Sequence, residues 1–184
     1  MEQLREGKRY TYADYCTWDN SERWELIDGV AYAMAPGASE GHQEISFELS
    51  RLFGNLLKSK PCKAFAAPFD VRLSADGDDD TVVQPDLLVV CDRSKLDGKS
   101  CNGPPDLVIE ILSPSSVSRD KWVKFNLYQR SGVREYWIVD PDSKTVMVHT
   151  LEDGRYMTSA YGGSESVPVG VLEGCVIELG DVFV

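Results

Sequence analysis

At 184 residues the chain is long enough for one domain, residues 1–184, with a sizeable core, and 42% hydrophobic with 27% charged content is the balance of a globular protein. A net charge of −11, from 19 basic and 30 acidic residues, argues against a broadly basic, non-specific nucleic-acid binder, although a local basic groove fits within that total. No apolar run approaches the ~20 residues of a membrane span and no basic-then-apolar leader opens the chain, so a cytoplasmic protein without a membrane partner is expected.

In chain order, residues 11–18 suggest a short helix. Trp24 to Met34 reads as a β-hairpin, because Asp28-Gly29 is a strong turn signal between two β-prone runs, and Pro36-Gly37 ends it. Ser39 then has the position of an N-cap, with Glu40 in the first turn where the helix dipole favours acid. The helix it opens runs to about Lys58, with Ile45, Leu49, Leu52, Phe53, Leu56 and Leu57 as its apolar stripe and Pro61 as its stop. Strands are expected at Cys62–Ala66, Phe69–Leu73 and Asp86–Cys91, with the acidic "SADGDDD" of residues 74–80 as a solvated hairpin tip and a polar connection at 92–103. A further strand covers 107–112. Ser115 or Ser116 caps a helix over about 117–131, and Gly132 sits where a left-handed C′ residue belongs. Strands follow at 135–140, 145–151 and 155–161, with more β-structure at 171–176 and 182–184. This order gives an α/β fold, a mixed sheet with helices on its faces.

Five cysteines, widely spaced and without C-x-x-C, argue against a disulfide framework and against a thiolate zinc site. Cys91 and Cys175 lie in apolar stretches and are expected as buried free thiols. With only two histidines, His42 and His149, a His-rich metal site or a His-based triad is hard to assemble. Carboxylates and lysines are left to carry the chemistry.

The segment "PPDLVIEILSP" (104–114) places Glu110 inside an aliphatic run typical of a strand buried on both faces. An unpaired carboxylate there costs several kcal/mol, so a cation, a metal or a proton must compensate it. Asp106, Val108, Glu110 and Leu112 share one strand face. Asp86 opens the preceding strand directly after Pro85, close enough in the expected sheet for two carboxylates to converge. Mg²⁺, or Mn²⁺, suits such a pair, and the carbonyl of Ile111 adds a third oxygen. On the following helix Asp120, Lys124 and Tyr128 recur at helical spacing, so Lys124 can reach the carboxylates from one side. There an ammonium can stabilise charge developing on a phosphate, or help deprotonate a water.

The blocks "WELIDGVAYAMAP", "GHQEI", "VQPDLLVV", "GPPDLVIEILSPSS", "DKWVKFNLY" and "GVREYWIVDP" together resemble the Uma family of restriction endonucleases, in the PD-(D/E)XK nuclease superfamily. The resemblance runs from about residue 10 to about 160. It implies a restriction-endonuclease-like αβββαβ core with an N-terminal hairpin and extra C-terminal strands, a Mg-dependent site, and endonuclease hydrolysis of DNA phosphodiester bonds. Pro85-Asp86 is similar to the PD of the superfamily motif, and Glu110 takes the acidic place of its second element. Leu112 stands where that element usually has lysine. Some branches supply the lysine from the following helix, and Lys124 fits that placement. The resemblance therefore assigns Asp86, Glu110 and Lys124 as catalytic, with Asp86, Glu110 and Ile111 on the metal. Glu44, His42 and Glu25 are further candidates for the site, and Asp106, Asp120 and Tyr128 are expected to orient the ligands from behind. Two-fold symmetry suits the cutting of two strands, so a homodimer is expected. Two other readings remain open: a nuclease fold kept as a non-catalytic binding module, which the charge and Leu112 favour, and a carboxylate-pair hydrolase of another substrate, such as a glycoside.

Overall fold

The computed structural model describes residues 7–18, 22–34, 37–73, 79–113 and 119–183, with the side chains of 119–121 left out. The first helix, α1 (Tyr12–Tyr15), is opened by a reciprocal cap between Thr11 and Asp14. Strands β1 (Trp24–Ile27) and β2 (Val30–Ala33) form a hairpin through Asp28 and Gly29, whose φ values of 50° and 74° are both left-handed, as the tightest hairpin turn requires. Helix α2 (Glu40–Leu56) starts at Ser39, whose hydroxyl accepts the His42 amide at 3.3 Å. Its buried residues His42, Ile45, Leu49 and Phe53 recur at helical spacing, which is why this face turns inward.

The middle of the chain supplies β3 (Lys63–Ala66), β4 (Asp70–Arg72), β5 (Val82–Val83), β6 (Leu87–Val90), β7 (Ser100–Asn102) and β8 (Leu107–Ile111). A π-helical stretch, Arg119–Lys124, leads into α3 (Phe125–Ser131), which ends at Gly132 with φ 84°. Strands β9 (Glu135–Asp140), β10 (Thr145–Glu152), β11 (Arg155–Gly162), β12 (Ser166–Pro168) and β13 (Val176–Glu178) complete the β-structure among the described residues.

The main sheet has the order β11-β10-β9-β8-β6-β3, with β8 and β9 parallel and the other pairs antiparallel. A second sheet, β2-β1-β5-β4-β7, is built from the hairpin and the excursions between β3 and β8. Without those excursions, α2-β3-β6-β8-α3-β9 is the expected αβββαβ order. Strand β8 is central and buried throughout. Leu107, Ile109 and Ile111 pack with Ile45, Leu49 and Phe53 of α2 and with C-terminal residues such as Val167 and Ile177. Val108 and Leu112 face the other way, toward Leu127 and Tyr128 of α3 and toward Ile27, Val71 and Val83 of the second sheet. Glu110 has the parity of this second face.

Three expectations need correction. Cys62 and Cys91 form a disulfide, so Cys91 is not a free thiol, whereas Cys16, Cys101 and Cys175 are free. The antiparallel register Lys63↔Val90 places positions 62 and 91 opposite each other, a long-range pairing that spacing alone does not reveal. Of residues 171–176 only Val176 is in a strand, the first residue of β13; 171–175 form the turn across which β12 and β13 pair, and 182–183 are not in a strand. The connection at 92–103 holds β7, which pairs parallel with β4. The expected cap at Ser115 or Ser116, the loop tip at 74–78 and Pro36 lie outside the described residues. Among the described residues no helix is long and apolar enough to cross a membrane.

Candidate active site

The partner of Glu110 is an ammonium. Lys124 Nζ lies 2.7 Å from Glu110 Oε1, and the Tyr128 hydroxyl donates to the same oxygen at 2.7 Å. Lys124 and Tyr128 are four residues apart and meet one side chain together, as i,i+4 positions on a helix face do. Lys124 also lies 2.9 Å from Glu25 Oε1. These groups are withdrawn from water, with Glu25 1%, Glu110 4% and Lys124 3% exposed. The Tyr128 phenol is held well above its ordinary pKa, first by burial and then by the Glu110 carboxylate, so it stays a donor.

Asp86 completes the acidic set from the start of β6. The register Leu87↔Ile109, continued by one residue, sets Asp86 opposite Glu110 on the same sheet face. Asp86 Oδ2 accepts the Ile111 amide at 2.8 Å and lies 3.3 Å from His42 Nε2. Its side chain is 21% exposed, which gives the buried group a route to solvent. A residue's amide and carbonyl point to the same side of a strand, so the Ile111 carbonyl also lies on the Asp86 edge. At formal charges Lys124 leaves this set of Glu25, Asp86 and Glu110 two negative charges in excess, with His42 neutral.

Among the described residues no three His, Cys, Asp or Glu side chains form a ready-made ion cage. Two carboxylates and a carbonyl still fit Mg²⁺, a hard cation that keeps several waters and takes only one or two carboxylates from a protein. The net excess of negative charge fits a divalent ion as well.

The other candidates separate. Glu25 and His42 join the group, but Glu44 is exposed on α2, two residues round from the buried His42. Asp106 lies apart from the group: it sits just before β8, at the end away from Glu110, accepting the Cys91 amide at 2.7 Å and Arg134 Nη1 at 3.0 Å. The Asp120 side chain lies outside the described residues.

Sequence reasoning missed Gln84. Its amide N–H donates to Glu25 Oε1 at 3.1 Å. Its Nε2 donates to the Tyr15 hydroxyl at 3.0 Å and to Asp70 Oδ1 at 2.9 Å, and its Oε1 accepts from Arg23 Nη2 at 2.8 Å. Burial, followed by the Asp70 charge, pushes the Tyr15 phenol upward. The only local hint was position, since Gln84 immediately precedes Pro85-Asp86.

The mixed sheet with α2 and α3 packed on its two faces is a restriction-endonuclease-like fold. The fold is similar to a crystal structure described as a "putative nuclease belonging to DUF820" from Anabaena variabilis, with a TM-score of 0.76 and 21% identity, covering 95% of this chain and 97% of that one. The Uma2 family, described as "Putative restriction endonuclease", matches residues 11–180, and the chain belongs to that family. Two Synechocystis proteins are similar as well. Uncharacterized protein slr1290 is 30% identical over 83% of this chain and 80% of its own length, and uncharacterized protein sll1609 is 30% identical over 72% and 76%.

Proposed function

We propose that the protein is a cytoplasmic endonuclease that hydrolyses DNA phosphodiester bonds with a divalent ion, Mg²⁺ or Mn²⁺. The observation that carries this reading is the pairing of Asp86 with Glu110 across β6 and β8, with the Lys124 ammonium on Glu110. Asp86, Glu110 and the Ile111 carbonyl would hold the ion, which when bound lowers the pKa of a water and polarises the scissile phosphate. Lys124 lies against two carboxylates as their donor, and would likewise donate to charge developing on the phosphate. Tyr128 fixes the Glu110 oxygen, and His42 and the Ile111 amide fix Asp86. A homodimer is the proposed assembly, on the symmetry of double-strand cutting, and would sediment at twice the chain mass.

The test is cleavage of supercoiled plasmid with Mg²⁺ or Mn²⁺ by wild type and Glu110→Ala in parallel. Nicked or linear product from wild type, lost to background in the variant and in chelator, is the expected outcome. Equal cutting by both proteins, or none by wild type with either ion, would sink the reading. A second reading has one observation in its favour: Lys124 already lies against both Glu25 and Glu110, so the two most buried acids of the cluster have a cation without any metal ion. A non-catalytic binding module would retain DNA in both proteins and cut with neither.

A further inference from the structure

The two carboxylates on Lys124 differ in what else they can do. Glu110 stands opposite Asp86, the site carboxylate with a path to solvent. Glu25 comes from the other sheet, and its Oε1 accepts the Gln84 amide as well as the lysine. Gln84 is fixed in turn by Tyr15, Asp70 and Arg23. Swinging Glu25 toward Asp86 would give up its hydrogen bond from the part-buried Gln84 amide and its contact with the buried ammonium. A divalent cation on Asp86 and Glu110 competes with Lys124 for the Glu110 oxygen and repels its charge. Glu25, which comes from the other sheet and is anchored by the Gln84 amide, keeps its hold.

Resting on the ion-dependent reading above, we infer that Glu25 is a positioning residue: it retains Lys124 in the site once Glu110 turns to a divalent cation, and does not bind the cation itself. The lysine thus gives up its contact with Glu110 and keeps the one with Glu25. Lys124 then remains beside the ion with protons to offer a phosphate oxygen, and the cation and the ammonium share the acidic cluster without excluding each other.

Two measurements test this. Mn²⁺ is titrated into wild type, Glu25→Gln and Glu110→Gln by electron paramagnetic resonance. Acylation of the Lys124 amine is followed by peptide mass spectrometry with and without Mn²⁺. Glu25→Gln is expected to bind Mn²⁺ within about threefold of wild type, while Glu110→Gln weakens binding by about tenfold or more. With Mn²⁺ bound, Lys124 stays protected in wild type and is acylated roughly tenfold faster or more in Glu25→Gln. Should Glu25→Gln not fold, Glu25→Asp keeps the charge with a shorter reach and is expected to show wild-type Mn²⁺ affinity with intermediate protection. Loss of Mn²⁺ affinity in the Glu25 variants to match Glu110→Gln overturns the proposal, because Glu25 is then a ligand. Unchanged protection of Lys124 in those variants also overturns it. If wild type binds no Mn²⁺, the ion-dependent function itself fails and takes this inference with it, a result distinct from ion binding with unaltered protection.

Discussion

Burial of the Glu110 carboxylate is tolerated because Lys124 and Tyr128 both donate to one of its oxygens. Hydrogen bonds to charged groups contribute about 1.5–3 kcal/mol each, so Tyr128→Phe, which deletes only the hydroxyl, is expected to lower stability by roughly that amount. Urea denaturation of variant and wild type measures it. The ring should stay in place, because its edge contact with Tyr136 at 4.9 Å does not involve the oxygen. At this scale much of the site was legible. A lone acid in an aliphatic run demands a partner, and an aspartate after proline and a lysine four residues before a tyrosine are local patterns. Glu25 could be named but not assigned, since the Gln84 amide that fixes it lies 59 positions away on a strand pairing no local pattern encodes.

At the scale of elements, the long helices and the buried strands followed from periodicity, and the Asp-Gly hairpin turns at 28–29 and 153–154 adopt left-handed pairs, with φ 48° and 78° at Asp153 and Gly154. The helix expected over about 117–131 differs. Its first part is π-helical through Lys124 and only then α-helical. In a π-turn the hydrogen bonds span five residues, so a four-residue spacing within it does not mark one helix face. The spacing between Lys124 and Tyr128 survives because α3 begins there. The C-terminal segment was misread because its strands are short and its attachment is polar. Glu135 of β9, buried, accepts the Trp137 indole at 2.6 Å and the Val171 amide at 2.9 Å. Gly170 lets that carboxylate approach: a Cβ there would lie 2.9 Å from Glu135 Oε2. Gly170→Ala is therefore expected to cost about 1–3 kcal/mol through overpacking, read as a lower thermal midpoint. Burial raises the Glu135 pKa, so its contribution to stability is full below the ordinary carboxylate range and falls as pH rises through the raised value.

For the molecule as a whole, acid sensitivity has an identifiable source. His149 is packed among Phe125, Tyr136 and Tyr156, with Nδ1 on the Thr158 hydroxyl. Its Nε2 is buried without a partner among the described residues, and burial lowers its pKa to about 4. Because the folded value lies below the unfolded one, the unfolded chain binds the extra proton. Stability is full above about pH 6.5 and falls as pH drops toward 4, by roughly 2–3 kcal/mol. Urea denaturation between pH 7 and pH 4 should show this slope in wild type, and His149→Gln should flatten it. The helix–sheet–helix order was readable from the chain; the division of strands between two sheets was not. That division depends on register, such as β1 with β5 and β4 with β7, set by contacts between distant segments.

The acids and their ammonium are contributed by β1, the start of β6, β8 and the turn leading into α3. No stretch that emerges early from a ribosome contains them all, and a nascent chain that stops short of Lys124 lacks the cation that makes burial of Glu25 and Glu110 tolerable. Chains that stop before Lys124 are thus barred from assembling the constellation, which becomes possible only once the segment leading into α3 has emerged.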